Sequence, residues 1–89
     1  MSDFDWNDEK NDFLQSTRGL SFEEVVFHIR NGGVLDVIKH PNPARHPSQN
    51  IIVLNMEDYV YLVPYTKERG VRFLKTIIPS RKATEEYLK

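Results

Sequence analysis

The sequence predicts an α+β domain: two N-terminal helices packed on a four-stranded, mainly antiparallel sheet, with a short C-terminal helix. Three observations point there. Phe22, Val25, Val26 and Ile29 fall at i, i+3, i+4 and i+7, the stripe of an amphipathic helix, and Asn31-Gly32-Gly33 ends it. Val34 to Pro79 is rich in Val, Ile and Tyr and reads as successive strands. The connections are short, which favours antiparallel neighbours. At 89 residues the chain is one domain, 1–89, and it carries no internal repeat or linker.

Phe4-Asp5-Trp6 is a short extended start. Asn7 is a fitting N-cap for a helix over Asp8 to Ser16, with Asp8 and Glu9 in the first turn, where the helix dipole favours anions. Phe13 and Leu14 give its apolar face, and Gly19 ends the segment. Ser21-Phe22-Glu23-Glu24 is a capping box for the second helix. Strands follow at Val34 to Lys39, Ile51 to Met56, Tyr59 to Thr66 and Val71 to Ile78. His40 to Asn50 holds three of the five prolines and reads as a loop. Glu57-Asp58 is a two-residue turn candidate, and Lys67 to Gly70 is a loop. Pro64 argues for an edge or a bulge in the third strand, and Pro79 marks a strand end. The fourth strand is apolar on both faces, which suggests a central position. Arg81 to Leu88 is the closing helix. The two N-terminal helices must cover one sheet face, leaving the other partly open.

Composition narrows the function. With no cysteine, thiolate catalysis, disulfides and cysteine-bound metal are excluded. The longest apolar stretch, Tyr59 to Tyr65, is far short of the roughly 20 residues of a membrane helix. The acidic N-terminus lacks a basic region followed by an apolar run, so a soluble, cytoplasmic domain is expected. The net charge of −1 gives no global case for a polyanion partner. Its distribution says more. Residues 1–33 carry seven acids against three bases, whereas Lys67, Arg69, Arg72, Lys75, Arg81 and Lys82 face only Glu68 between positions 67 and 82.

Two constellations carry chemistry. Tyr59, Tyr61, Val63 and Tyr65 alternate along one strand face, where tyrosines can stack bases or donate to phosphate; the plainer alternative is a half-buried aromatic face. Arg72, Lys75, Arg81 and Lys82 offer a cationic pocket able to stabilise charge on a phosphorane-like transition state; the plainer alternative is a solvated edge with salt bridges to Glu85, Glu86 or Asp36. His40 and His46 are six apart, matching no metal motif, and would shuttle protons only if their loop folds over the basic pocket. No Gly-rich phosphate loop is present, and neither metal nor cofactor is expected.

Phe4-x-Trp6-Asn7-x-x-Lys10, followed by Arg18-Gly19-Leu20-Ser21-Phe22-Glu23-Glu24-Val25, resembles the N-terminal signature of BrnT-type toxins. That family reads aromatic-x-Trp-Asp-x-x-Lys, then Lys-His-Gly-Val-x-Phe-x-x-Ala. Arg72 to Lys82, continuing through Ala83-Thr84, is similar to the family's closing strand and Ser-Ala-Arg-x-Ala-Thr segment, and Tyr87 matches its terminal tyrosine. The resemblance implies a RelE-like fold and a metal-independent endoribonuclease toxin of a type II toxin–antitoxin system. Such a toxin cleaves RNA, inhibits translation and is neutralised by an antitoxin protein, usually of ribbon-helix-helix type. By position, Lys10, Arg18, Arg72 and Arg81 are the family-like cations. Arg72, Lys75, Arg81 and Tyr65 are then the candidate catalytic residues, and Lys10, Arg18, Arg69, Lys82, Tyr59 and Tyr61 the candidate RNA contacts. Arg18-Gly19 replaces the Lys-His-Gly run and removes its histidine. The alternative is therefore an inactive interaction module of the same fold, binding a partner through its basic face.

Overall fold

The computed structural model describes residues 3–46 and 48–89. Met1 and Ser2, part of the N-terminal segment read above, and Pro47, one of the prolines behind the loop expectation, lie outside the described residues. The elements are β1 (Phe4–Trp6), α1 (Asp8–Arg18), α2 (Phe22–Arg30), β2 (Val34–Lys39), β3 (Gln49–Met56), β4 (Tyr59–Glu68), β5 (Val71–Leu74), β6 (Ile78–Pro79) and α3 (Arg81–Leu88). The mixed α+β class holds.

The helices start where their caps say. Asn7 accepts the Lys10 N–H at 2.9 Å, and Ser21 accepts the Glu24 N–H at 3.1 Å. α1 runs two residues past Ser16, because Gly19, at φ 65°, is the residue that can close it in left-handed backbone. Asn11 pins the two helices together: it is buried, accepts the Phe22 N–H at 2.8 Å and donates to Glu23 at 2.7 Å. The β3–β4 hairpin turns through Glu57 and Asp58, both at positive φ, as two-residue turns favour.

The sheet differs from the expected four-stranded meander. Its order is β1-β5-β4-β3-β2, with β6 also on β4. Phe4-Asp5-Trp6 is a strand of the sheet, paired parallel with Arg72-Phe73-Leu74. β4 is the middle strand, and β5, the first half of the Val71–Ile78 segment, is interior too, between β1 and β4. That segment is broken: Tyr65 pairs with Leu74 but Leu62 with Ile78, so Val63 and Pro64 face three residues, 75–77. This bulge lies opposite Pro64. In an antiparallel strand the N–H and C=O of one residue point to the same side. The Pro64 carbonyl accepts the Lys75 N–H at 2.8 Å, so the donor Pro64 lacks falls where the neighbouring strand is interrupted. A proline in a central strand is thereby accommodated.

The bulge also changes the faces. Arg72, Leu74, Thr76 and Ile78 do not continue on one side: Ile77 joins Leu74 in the core and Ile78 turns outward at 42 % exposure. α1 and α2 cover the face of Ile52, Leu54, Met56, Val63, Tyr65 and Leu74, closing it with Leu14, Phe22 and Val25. α3 lies on the opposite face over Val53, Val60 and Leu62, so that face is closed at its hairpin end. No described helix is long and apolar enough to cross a membrane.

Candidate functional site

Cross-strand partners share a face, so the ladder register places every candidate side chain. Tyr59, Tyr61 and Tyr65 face the helices, not an open sheet surface. Tyr65 is 8 % exposed within the main core, and its ring has no free face for a base. Tyr61 packs against the same core and meets Tyr59 edge-on, with ring centroids 5.5 Å apart. The Tyr61 hydroxyl is held above its ordinary value of 10.0, first by burial and then by neighbouring Tyr59, Glu57 and Glu24. It stays protonated at neutral pH, in acidic company that suits a phosphate poorly. For these three tyrosines the plainer alternative describes the packing.

The four cations expected in one pocket are dispersed. Arg72 points to the helix side of β5, where it shares a face with Leu74. Lys75 lies on the other side, its ammonium 4.9 Å from the Phe73 ring. Arg81 and Lys82 open α3, which follows β6, and β6 pairs with β4 at Leu62 while Arg72 pairs with it at Lys67. Five residues of strand span about 17 Å at 3.3–3.4 Å each, too far for one phosphate group to bridge. Lys82 lines a groove of about 200 Å³ between α3 and β2, with Ile38 and Val53 below it. Arg69 sits in the β4–β5 turn at φ 52°, beside a groove with Asp5, Glu68 and Phe73 on the face away from α1 and α2. Lys10 stands over Phe13 on α1, 5.7 Å from the ring centroid, and Arg18 donates to the Ile77 carbonyl at 3.4 Å.

A different set converges. On the helix side, Lys67, Arg72 and Phe4 stand in one row across β4, β5 and β1. The Arg72 guanidinium lies 4.3 Å from the centre of the Phe4 ring, and Arg30, the last residue of α2, lies 5.9 Å from it. None of these three cations forms an ion pair among the described residues. Asp5 and Glu68 are close in sequence, but alternation puts them on the opposite face. Like charges directly opposite in a sheet disfavour it by up to about 1 kcal/mol, while a cation over a ring returns about 0.5–2 kcal/mol, toward the upper end for a ring as buried as Phe4. The row therefore presents three cations whose charge no carboxylate neutralises among the described residues.

Of the candidate catalytic residues only Arg72 belongs to this row, with buried Tyr65 one step behind it. Arg30 and Lys67 are not among the candidates. Lys67 is visible as part of the basic run, but its pairing with Arg72 depends on register. Arg30 comes from the acidic third of the chain and joins the row only through its side chain, which reaches the Phe4 ring from the end of α2. Among the described residues no group of three or more His, Asp or Glu is placed to hold a metal ion. Comparison of the chain with protein-family models, with curated proteins and with solved structures finds no match.

Proposed function

We propose that this chain is a metal-independent endoribonuclease toxin of RelE-like fold, which cleaves RNA, inhibits translation and is neutralised by a cognate antitoxin protein. The observation that carries the reading is the meeting of Arg30 and Arg72 at the Phe4 ring, with Lys67 facing Arg72 across the sheet. Phe4 and Arg72 come from the two segments that resemble BrnT-type toxins, and they are cross-strand partners.

RNA supplies its own nucleophile. Attack of a 2′-hydroxyl on the adjacent phosphorus forms a cyclic phosphate and breaks the bond to the 5′-oxygen of the next nucleotide; the hydroxyl's proton passes to water, and the departing 5′-oxygen takes one from water. Negative charge builds on the non-bridging oxygens, and preorganised guanidinium and ammonium groups favour that state over the ground state. In this proposal Arg72 and Lys67 hold the phosphate and Arg30 adds charge from the α2 end. Lys75, Arg81 and Lys82 serve at most as outlying contacts to the strand.

A second reading is favoured by one feature of the row: it contains three cations and neither a histidine nor a carboxylate. It would then dock an acidic segment of a partner protein, with no cleavage. Induced expression of wild type beside Arg72→Ala separates the two. Growth arrest and RNA cleavage by the wild type, lost in a folded Arg72→Ala, support the toxin. Normal growth and intact RNA with folded wild type, together with stoichiometric binding of the product of a neighbouring gene, support the docking module.

A further inference from the structure

Next to the cationic row is a second cavity that the proposed reaction does not use. It holds about 320 Å³ and is lined by Lys39, His40, Pro43, His46, Ser48, Gln49 and Asn50. That volume lies within the range of small-ligand sites. Its walls combine polar groups with the Pro43 ring and two imidazoles, which stack with centroids 4.2 Å apart and planes 36° from parallel. His40 is oriented from behind: its Nδ1 accepts the Asn42 backbone N–H at 3.1 Å. The neutral ring therefore carries its hydrogen on Nε2.

The register links this cavity to the row. Lys39, Asn50, Tyr65, Leu74 and Trp6 are successive cross-strand partners on the helix side of the sheet. Arg72 is two residues from Leu74 along β5. Asn50 and Leu74 are two strands apart, about 10 Å at 4.7–4.9 Å per strand. With the two residues along β5 included, Arg72 lies about 12 Å from Asn50, which one or two nucleotides of an extended single strand can span. We infer that the cavity is a nucleobase pocket for the RNA strand whose phosphate lies on Arg30, Lys67 and Arg72; the inference rests on the RNA reading above. The histidine pair gives the stacking surface, Ser48, Gln49 and Asn50 give donors and acceptors for a base edge, and Lys39 meets the adjoining phosphate.

Base stacking and phosphate contact leave different signatures in salt. A stacking contact is worth roughly tenfold in affinity and is independent of salt, whereas each phosphate contact adds about 0.7 to the slope of log K against log salt for single strands. The test is binding of fluorescent homohexamers of A, C, G and U across a salt series, with wild type, His46→Ala, His46→Phe and Arg72→Ala. The expected result is that His46→Ala weakens the preferred hexamer roughly tenfold with an unchanged slope, that His46→Phe restores most of the loss, and that Arg72→Ala lowers the slope. Unchanged affinity in His46→Ala, with the Arg72→Ala effect present, overturns the pocket and leaves the RNA reading standing. Failure of His46→Phe to restore binding also overturns it, since the loss then comes from loop structure. No hexamer binding by wild type overturns pocket and RNA reading together.

Discussion

At the scale of single residues, Gly33 shows how tightly the first half of the fold is set. Its N–H donates to the His28 carbonyl at 2.8 Å, and its own carbonyl accepts the Asn55 N–H at 2.8 Å. It stitches the end of α2 to β3. A Cβ there would sit 2.7 Å from the Asn55 carbonyl oxygen and 2.8 Å from that of His28. Both are backbone atoms with no rotamer to retreat into. Gly33→Ala should therefore destabilise by about 1–3 kcal/mol, the usual range for overpacking, although alanine restricts the unfolded chain more than glycine does. Urea unfolding would read this as a lower midpoint with unchanged slope. Gly32→Ala is the informative companion, since φ 85° strains any L-residue there but no atom lies within 4 Å. A loss at position 33 no larger than at 32 would mean that α2 shifts freely against β3. The sequence marks Asn31-Gly32-Gly33 as a helix stop. It does not reveal which glycine serves the turn and which the close approach, because the second role depends on Asn55, 22 positions away.

At the scale of elements, the locally coded parts were legible and the register-dependent parts were not. Caps at Asn7 and Ser21, the Glu57-Asp58 turn and the Arg81–Leu88 helix involve residues within four positions of one another. The parallel seat of β1 joins Phe4 to Arg72, and three residues are too few to show a strand pattern. The bulge at 75–77 is readable only against Pro64 on the next strand, and without it the alternation of the fourth strand is counted wrongly past Leu74.

The attachment of α3 is likewise non-local. The Ser80 hydroxyl caps it on the Ala83 N–H at 3.0 Å, Thr84 accepts the Val60 N–H at 2.9 Å, and the Tyr87 hydroxyl donates to Asp36 of β2 at 3.1 Å. That last bond, followed by burial, holds the Tyr87 hydroxyl above its ordinary 10.0. A folded value above the unfolded one means the contribution is complete below pH 10.0 and fades as pH rises through the raised value. The stability difference between wild type and Tyr87→Phe should thus be flat from neutral pH to about pH 10 and shrink above it. A difference that shrinks already between pH 7 and pH 9 would show that Tyr87 is not what couples α3 to β2.

At the scale of the whole molecule, charge is sorted by the fold more sharply than by the chain. The helix side of the sheet is acidic toward the hairpin, where Glu57 and Glu24 surround Tyr61, and cationic toward the opposite end, where Lys67, Arg72 and Arg30 gather. A chain of net charge −1 can in this way present a local anion site. Two of its cations, Lys67 and Arg72, face each other directly across the sheet, and that gives the last prediction. Lys67→Glu replaces a like-charge cross-strand pair with an opposite one, a carboxylate now facing Arg72. The fold should gain about 0.2–1 kcal/mol from this change, while affinity for RNA hexamers falls. Urea midpoints at low and high salt check the first part: the gain should shrink as salt screens the pair. Added phosphate, at ionic strength matched with chloride, should raise the midpoint of wild type more than that of Lys67→Glu, because only a ligand bound to the folded state stabilises by mass action. If Lys67→Glu lowers the midpoint, or phosphate acts equally on both proteins, the row is an ordinary solvated edge. If both parts hold, the cations at this end of the sheet are retained against the interest of the fold, and a bound anion is the physical reason for them.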